Sequence, residues 1–350
     1  MIRELWQAVT QRTEIPLTER DLERALGALL ASGDLWEVIA ASEVPMMALC
    51  PLLELLQERG LLEITDGHLH LTSAGEEVAQ EAGIAPPPRL RCPRCGGRGL
   101  DLESPELARL LQEFRELVRE RPGAVQQFDQ GYVTPETAVA RVAALWANGD
   151  LEGKRIIVLG DDDLTGLALA LTGKAKRILT IDIDKRILEF TARIAQERGL
   201  EIETAQQDLR RPLPKDWLKN FDTFITDPPE SKAGLEGFLK RGLQCLAGPG
   251  SAGYFGLTRL EASLHKWHEV QRFLLDQGAV ITALIPRFNE YENWEYLERM
   301  RSWEHLPVKR PPAGIWYRSA LYRLELLRSP ALPNDPLPEN LFDDAEAATN

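Results

Sequence analysis

The chain has 350 residues, 44% apolar and 27% charged, an ordinary globular composition that suggests two or three domains of about 100–200 residues each. Its 41 Lys and Arg against 54 Asp and Glu leave a formal charge of −13. That excess speaks against a protein that coats nucleic acid or anionic membrane, and it suits a cationic small substrate. No apolar run reaches about 18 residues, so no membrane-spanning helix is expected. The opening Met1-Ile-Arg-Glu-Leu-Trp6 lacks the apolar stretch of a leader peptide. Four cysteines are too few for a disulfide framework. The expected setting is the cytoplasm.

Residues 1–85 read as helices closed by a small hairpin. Leu17 to Leu30 has helical spacing, with Thr18 as N-cap and Asp21 three residues on. Further helices are expected from Leu35 to Ser42 and from Met46 to Arg59, the latter stopped by Gly60. Asp66-Gly67 lies between two alternating runs, a strong hairpin signal. Helices followed by a hairpin suggest a winged-helix-like module. Its charge argues against reading DNA: residues 1–85 hold five Arg, no Lys and fifteen Asp or Glu, so 5 − 15 = −10. A packing or dimerisation role fits better.

Residues 86–150 form a connecting region. Ala85-Pro-Pro-Pro-Arg89 is a stiff linker. Cys92-Pro-Arg-Cys95 has the spacing of one zinc knuckle but supplies only two of four ligands. Half a metal site completed by another chain, a local redox pair and a plain turn all remain open. Ser104 to Arg121 is a charged helical connector, and Phe128 to Thr137 leads into an Ala-rich helix ending near Gly149.

Residues 151–330 alternate strand and helix. Strands are expected at 155–159, 177–181, 201–204, 221–226, 252–257, 279–285 and 320–327, with helices at 164–172, at 185–199 and from the fifth strand to Gln277, and a long excursion before the last strand. This pattern predicts an α/β domain whose mostly parallel sheet is covered on both faces. Seven strands in this plan suggest the Rossmann-like class I S-adenosylmethionine-dependent transferase fold. Residues 331–350, with five acids and no base after Leu332, read as a mobile acidic tail.

In an open α/β sheet, ligands sit beyond the carboxyl ends of the strands. The first strand ends in Gly160-Asp161-Asp162-Asp163. Three carboxylates there would repel a pyrophosphate, which disfavours dinucleotides and nucleoside triphosphates. One Asp could serve as a helix cap; three aimed at the crevice suit a cation. Asp182, at the end of the second strand, is placed to accept from ribose hydroxyls, with Asp184 as a helix cap. Asp208-Leu209 follows the third strand and can face an adenine. A ribose acid and an adenine acid without a phosphate site describe an adenosyl sulfonium. Asp227-Pro228-Pro229-Glu230 follows the fourth strand; in amino-group methyltransferases an aromatic residue stands where Glu230 does here, so a charged aliphatic amine is favoured over a planar base. Tyr132 and Glu136 precede the first strand, where such folds cover their donor. Phe288 to Tyr296 mixes aromatics with acids and could lid a polyamine by cation–π contact or serve as a packed connector. His265 and His268 read as surface residues.

The Gly160-Asp-Asp-Asp163 and Asp227-Pro-Pro-Glu230 motifs, behind a winged-helix-like start and a Cys-Pro-x-Cys knuckle, resemble the branched-chain polyamine synthases, the N4-bis(aminopropyl)spermidine synthases of thermophilic prokaryotes. The resemblance implies aminopropyl transfer from decarboxylated S-adenosylmethionine to the secondary amine of spermidine, with 5′-methylthioadenosine as leaving group. It also implies a homodimer and an aspartate of Asp161–Asp163 beside the reacting nitrogen. Polyamine nitrogens arrive protonated, with pKa values near those of Lys, about 10. A nearby carboxylate can take the proton, although negative charge also favours the ammonium. A sulfonium is already a good leaving group, so neither metal nor cofactor is called for. The rival readings are a methyltransferase using S-adenosylmethionine itself and a DNA-binding regulator with a ligand-sensing domain.

Overall fold

The computed structural model describes residues 1–88, 90–292 and 295–349. The chain opens with four helices, α1 (Ile2–Thr10), α2 (Glu19–Ala31), α3 (Leu35–Ser42) and α4 (Met46–Glu58), then the hairpin β1 (Leu62–Thr65) and β2 (His68–Leu71), and α5 (Ser73–Glu81). Asp66 and Gly67 both have positive φ at the hairpin turn, as the sequence suggests. Thr18 caps α2, its backbone N–H donating to Asp21 Oδ2 at 2.9 Å. Helix α4 buries Leu49, Leu52, Leu53 and Leu56 and leaves Glu54, Gln57 and Glu58 exposed, an acidic outer face unsuited to phosphates. Buried Asp21 also accepts from Arg259 Nη2 at 3.2 Å, and Met46 N donates to the Leu260 carbonyl at 2.8 Å, so this part packs against the α/β domain.

Helices α6 (Pro105–Val118) and α7 (Pro135–Ala147) lead into the alternating region. Its elements are β3 (Arg155–Leu159), α8 (Thr165–Leu171), β4 (Arg177–Asp182), α9 (Lys185–Arg198), β5 (Glu203–Gln206), β6 (Thr223–Thr226), α10 (Lys232–Cys245), β7 (Ala252–Leu257), α11 (Leu264–Asp276), β8 (Ala279–Glu290) and β9 (Arg318–Leu326). The seven strands pair in the order β5-β4-β3-β6-β7-β9-β8, parallel except β9, which is antiparallel to both neighbours. This is the class I S-adenosylmethionine-dependent transferase arrangement. Ile156, Ile157, Val158 and Leu159 are buried on both faces of β3, as a helix-covered parallel strand requires. The winding reverses at β3, whose neighbours are β4 and β6, and a crevice opens there at the carboxyl ends.

The terminal segment corrects the expectation of a mobile tail. Leu341, Ala347, Ala348 and Thr349 are buried. Ser231 Oγ donates to the Leu341 carbonyl at 2.6 Å, Lys232 N to Asp344 at 2.8 Å, and Ala348 N to Glu261 at 2.6 Å. The sequence shows five acids without bases nearby; the folded body supplies their partners, Lys266 on α11 and Lys240 on α10 among them. No helix among the described residues is long and apolar enough to cross a membrane.

Candidate functional site

The crevice above β3, β4 and β6 is a cleft of about 1190 Å³. Its lining holds seven carboxylates, those of Asp129, Asp162, Asp163, Asp182, Asp208, Asp227 and Glu230, and one guanidinium, Arg210. Such a wall attracts cations and repels phosphates. Gly160, Leu209 and Pro228 line it as expected.

Loop 160–163 sends its three aspartates to three different places. Gly160 turns the chain at φ +66°. Asp161 points away from the cleft, which corrects its candidacy as the proton acceptor: its carboxylate accepts from Gly166 N at 2.9 Å and from Thr180 Oγ1 at 3.2 Å. It closes the start of α8 from inside. Asp163 lines the cleft, but both its oxygens are taken, one by Val133 N and the other by Arg141 Nη1, each at 2.7 Å. Asp162 is half-buried, and no donor among the described residues reaches its carboxylate. Burial first, then the charges of Asp163, Asp182 and Asp227, hold its carboxyl well above the usual range.

On the β4 side, Asp182 is held by the backbone N–H groups of Asp161 (2.8 Å) and Asp184 (2.7 Å). Burial still raises its pKa. Asp184 caps α9, as expected. Asp208 is paired with Arg210 at 2.9 Å, and that pairing outweighs burial to hold its carboxyl below the usual range.

On the β6 side, Asp227 accepts from Arg141 and, at 2.7 Å, from Tyr291 Oη. Room for its side chain comes from Gly256 on β7, where a Cβ would stand 2.1 Å from Asp227 Oδ1. Glu230 is half-buried; burial, then Glu261, Asp129 and Asp227, push its carboxyl well above the usual range. Asp129 is raised likewise by burial and Glu261, and it sits in the left-handed region at φ +54°.

Two further expectations need correction. Tyr132 does not line the cleft: its hydroxyl donates to the Pro122 carbonyl at 2.8 Å and its ring lies 3.6 Å from the Arg121 guanidinium. Glu136 lies on the outer face of α7, paired with Arg115. Cys92 and Cys95 stay at the surface, and among the described residues no third His, Cys, Asp or Glu joins them into a metal-binding group. His265 and His268 are exposed. In the segment 288–296, Tyr291 and Tyr296 line the cleft, Phe288 and Asn289 are buried, and Asn293 and Trp294 lie outside the described residues.

The residues missed from the sequence are Asp129, Arg141, Tyr317 and Thr349. Arg141 is one cation in an Ala-rich helix, 3% exposed, and that oddity was the available signal. Nothing local marks the others, which come to the cleft from distant loops.

A family model described as the branched-chain polyamine synthase A C-terminal domain matches residues 109–349. The N(4)-bis(aminopropyl)spermidine synthase of Thermus thermophilus is 51% identical over 97% of this chain and 96% of its own. That of Thermococcus kodakarensis is 45% identical over 99% and 100%. The crystal structure of the Thermus thermophilus branched-chain polyamine synthase, in complex with N4-aminopropylspermidine and 5′-methylthioadenosine, superposes with a TM-score of 0.94 at 50% identity, over 100% of this chain and 98% of that one. With the acid-lined cleft, the matched C-terminal region and end-to-end relatives in agreement, the chain belongs to the branched-chain polyamine synthase family.

Proposed function

We propose that the chain is an aminopropyltransferase that uses decarboxylated S-adenosylmethionine and spermidine and yields N4-bis(aminopropyl)spermidine and 5′-methylthioadenosine. The observation that carries this reading is Asp162, an unpaired carboxylate between the acids of the β4 side and those of the β6 side. Gly160, Asp182, Asp208 and Leu209 hold the adenosyl donor. Asp227, Pro228 and Glu230 hold the polyamine. The donor enters with its sulfonium near the start of the 160–163 loop.

Each transfer balances simply. The spermidine secondary nitrogen gives a proton to Asp162, and its lone pair attacks the aminopropyl carbon bonded to sulfur. The C–S bond breaks, its electron pair returns to sulfur, and 5′-methylthioadenosine leaves neutral. Asp162 passes its proton to bulk water, then takes the proton of the new tertiary ammonium, and the freed nitrogen attacks a second donor, giving a quaternary nitrogen. A base whose pKa is raised above the usual carboxylate range suits this task. Alignment of nitrogen, carbon and sulfur supplies most of the remaining acceleration.

The chain acts as a homodimer; support comes from the outer strand β8, which leaves Val280 and Leu284 about 40% exposed (39% and 43%). The test of function is incubation with spermidine and decarboxylated S-adenosylmethionine, with polyamines read by mass. Polyamines heavier by one and two aminopropyl units are expected. Unchanged spermidine, or methylation from S-adenosylmethionine, overturns the reading.

A further inference from the structure

We infer that Arg141 is a positioning residue that sets the protonation of the reacting nitrogen: it neutralises Asp163 and Asp227 from behind and leaves Asp162 as the proton acceptor. This deepens the proposed function and rests on it.

An acid-lined cleft meets two opposed demands. The terminal ammonium groups of a polyamine bind better the more negative the wall. The nitrogen that attacks must be neutral, and the same negative wall keeps its proton on. The conflict is resolved only where positive charge offsets the acids at the reaction point and not elsewhere.

Arg141 stands at that point. It projects from α7 between the loop after β3 and the turn after β6. Nη1 donates to Asp163 Oδ2 at 2.7 Å, Nη2 donates to Asp227 Oδ2, and Nε donates to Asn289 Oδ1 at 2.9 Å. Asn289 Nδ2 and Tyr291 Oη both meet Ser319 Oγ, at 2.8 and 2.9 Å, which fixes the cluster from the β8–β9 side. Burial opposes the charge on Arg141, but Asp227 and Asp163 hold it protonated. Buried ion clusters are rarely the most stable way to fill space, since apolar side chains of similar volume often do as well. One placed behind both acid motifs is better explained by the chemistry in front of it.

The other charged groups around the cluster do not do this job. On the β3 and β4 ends, Asp161, Asp182 and Asp184 are held by backbone N–H groups or by Arg186. From β8, Glu290 is paired with Arg98 and Arg318. Arg121, ahead of α7, lies on Tyr132, is paired with Glu292 and also favours ionisation of Asp162, without bridging Asp163 and Asp227 as Arg141 does. Asp129, Glu230 and Glu261, together with Tyr317, gather at the other end of the cleft, where Lys266 meets the Glu230 and Glu261 carbonyls and is paired with Asp344. That end remains negative and holds the ammonium groups.

The test is the dependence of kcat on pH for the full chain at saturating substrates. Arg141→Met should move the acid limb upward by about 1–3 pH units, so that kcat near pH 8 falls at least about tenfold and recovers as pH rises. Arg141→Lys, which keeps the charge, should leave the limb in place even where kcat is lower. Asp163→Asn removes a negative charge from the same cluster and should move the limb the other way. A loss in Arg141→Met that is uniform with pH, or a limb unmoved in Asp163→Asn, overturns the inference. Should Arg141→Met fail to fold, Asp163→Asn decides. A wild-type protein that transfers no aminopropyl group overturns the functional reading first, and this inference with it.

Discussion

Replacing Asp162 with Asn keeps the size of the side chain and removes its charge and its basicity. The structure separates this change from the same change at either neighbour. No described donor reaches the Asp162 carboxylate, so the amide leaves no partner stranded. A positioned general base contributes about 10²–10⁴-fold to rate, so kcat should fall by that order. Affinity for 5′-methylthioadenosine, which the proposed function places on the β4 side, should be nearly unchanged. Stability should not fall. The folded-state pKa of Asp162 is raised, so the native state binds protons more tightly than the unfolded chain. Its ionisation therefore costs stability as pH rises from the ordinary carboxyl value through the raised one, and the full cost is present above that window. Asn removes the cost, so Tm at neutral pH should equal or exceed the wild-type value, and the two proteins should converge in acid. Asp163→Asn differs: it strips one partner from buried Arg141, a loss of about 3–5 kcal/mol for a buried pair. Arg141 keeps Asp227, so the cost belongs at the low end of that range, inside a total stability of about 5–15 kcal/mol. The assays are product mass for kcat, calorimetry for the nucleoside, and thermal melts at neutral and acid pH. A kcat for Asp162→Asn within about tenfold of wild type, or a Tm as low as that of Asp163→Asn, would refute the assignment.

Glu230→Gln should raise KM for spermidine more than it lowers kcat, because the residue binds ground state and transition state alike; steady-state kinetics with varied spermidine checks this. Calorimetry should show tighter binding of 5′-methylthioadenosine than of S-adenosylmethionine, whose carboxylate would face the acids of loop 160–163; the reverse order would favour methyl transfer. Gly256→Ala places a Cβ against Asp227, so kcat should drop and Tm should fall by the equivalent of about 1–3 kcal/mol, both read on the purified variant. The full chain should give no salt-sensitive gel shift with duplex DNA at nanomolar protein, since the exposed face of α4 carries Glu54 and Glu58 and residues 1–85 carry fifteen acids against five arginines.

The sheet was legible because its signal is local. A buried parallel strand reads as an unbroken apolar run, as at Ile156–Leu159, and the residue that follows it must lie at a carboxyl end. Gly160, Asp182, Asp208 and Asp227 could therefore be placed at one crevice before any contact was known. What local pattern does not carry is the direction of a side chain after a turn. Tyr132 and Glu136 sit in the expected segment ahead of β3, yet one hydroxyl turns to Pro122 and the other carboxylate to Arg115. The tail was misread for a related reason. Its acids look solvated when only neighbours in sequence are counted, and Lys266, more than seventy residues away, pairs with Asp344 at 2.9 Å. Asp129 and Thr349 join the cleft only in the folded chain, Thr349 through its hydrogen bonds to Glu261.

The loop 160–163 shows why three aspartates are needed where capping requires one. In dinucleotide-binding relatives of this fold, backbone N–H groups after the first strand are left open for a pyrophosphate. Here the protein's own Asp161 accepts the Gly166 N–H, and Thr180 donates to the same carboxylate. A phosphate would find that position filled by the protein's own carboxyl group. Asp163 is committed to Arg141 and to Val133 N, which fastens the loop to α7 and to the segment before it. Only after those two duties are met does the middle residue face the cleft without a hydrogen-bond donor among the described residues. A single aspartate could do one of the three things. Rejecting phosphate, anchoring the loop and presenting a bare carboxylate to a cation demand three carboxylates in three directions, and a tight turn after a parallel strand, with Gly160 in the left-handed region, fans consecutive side chains apart in that way.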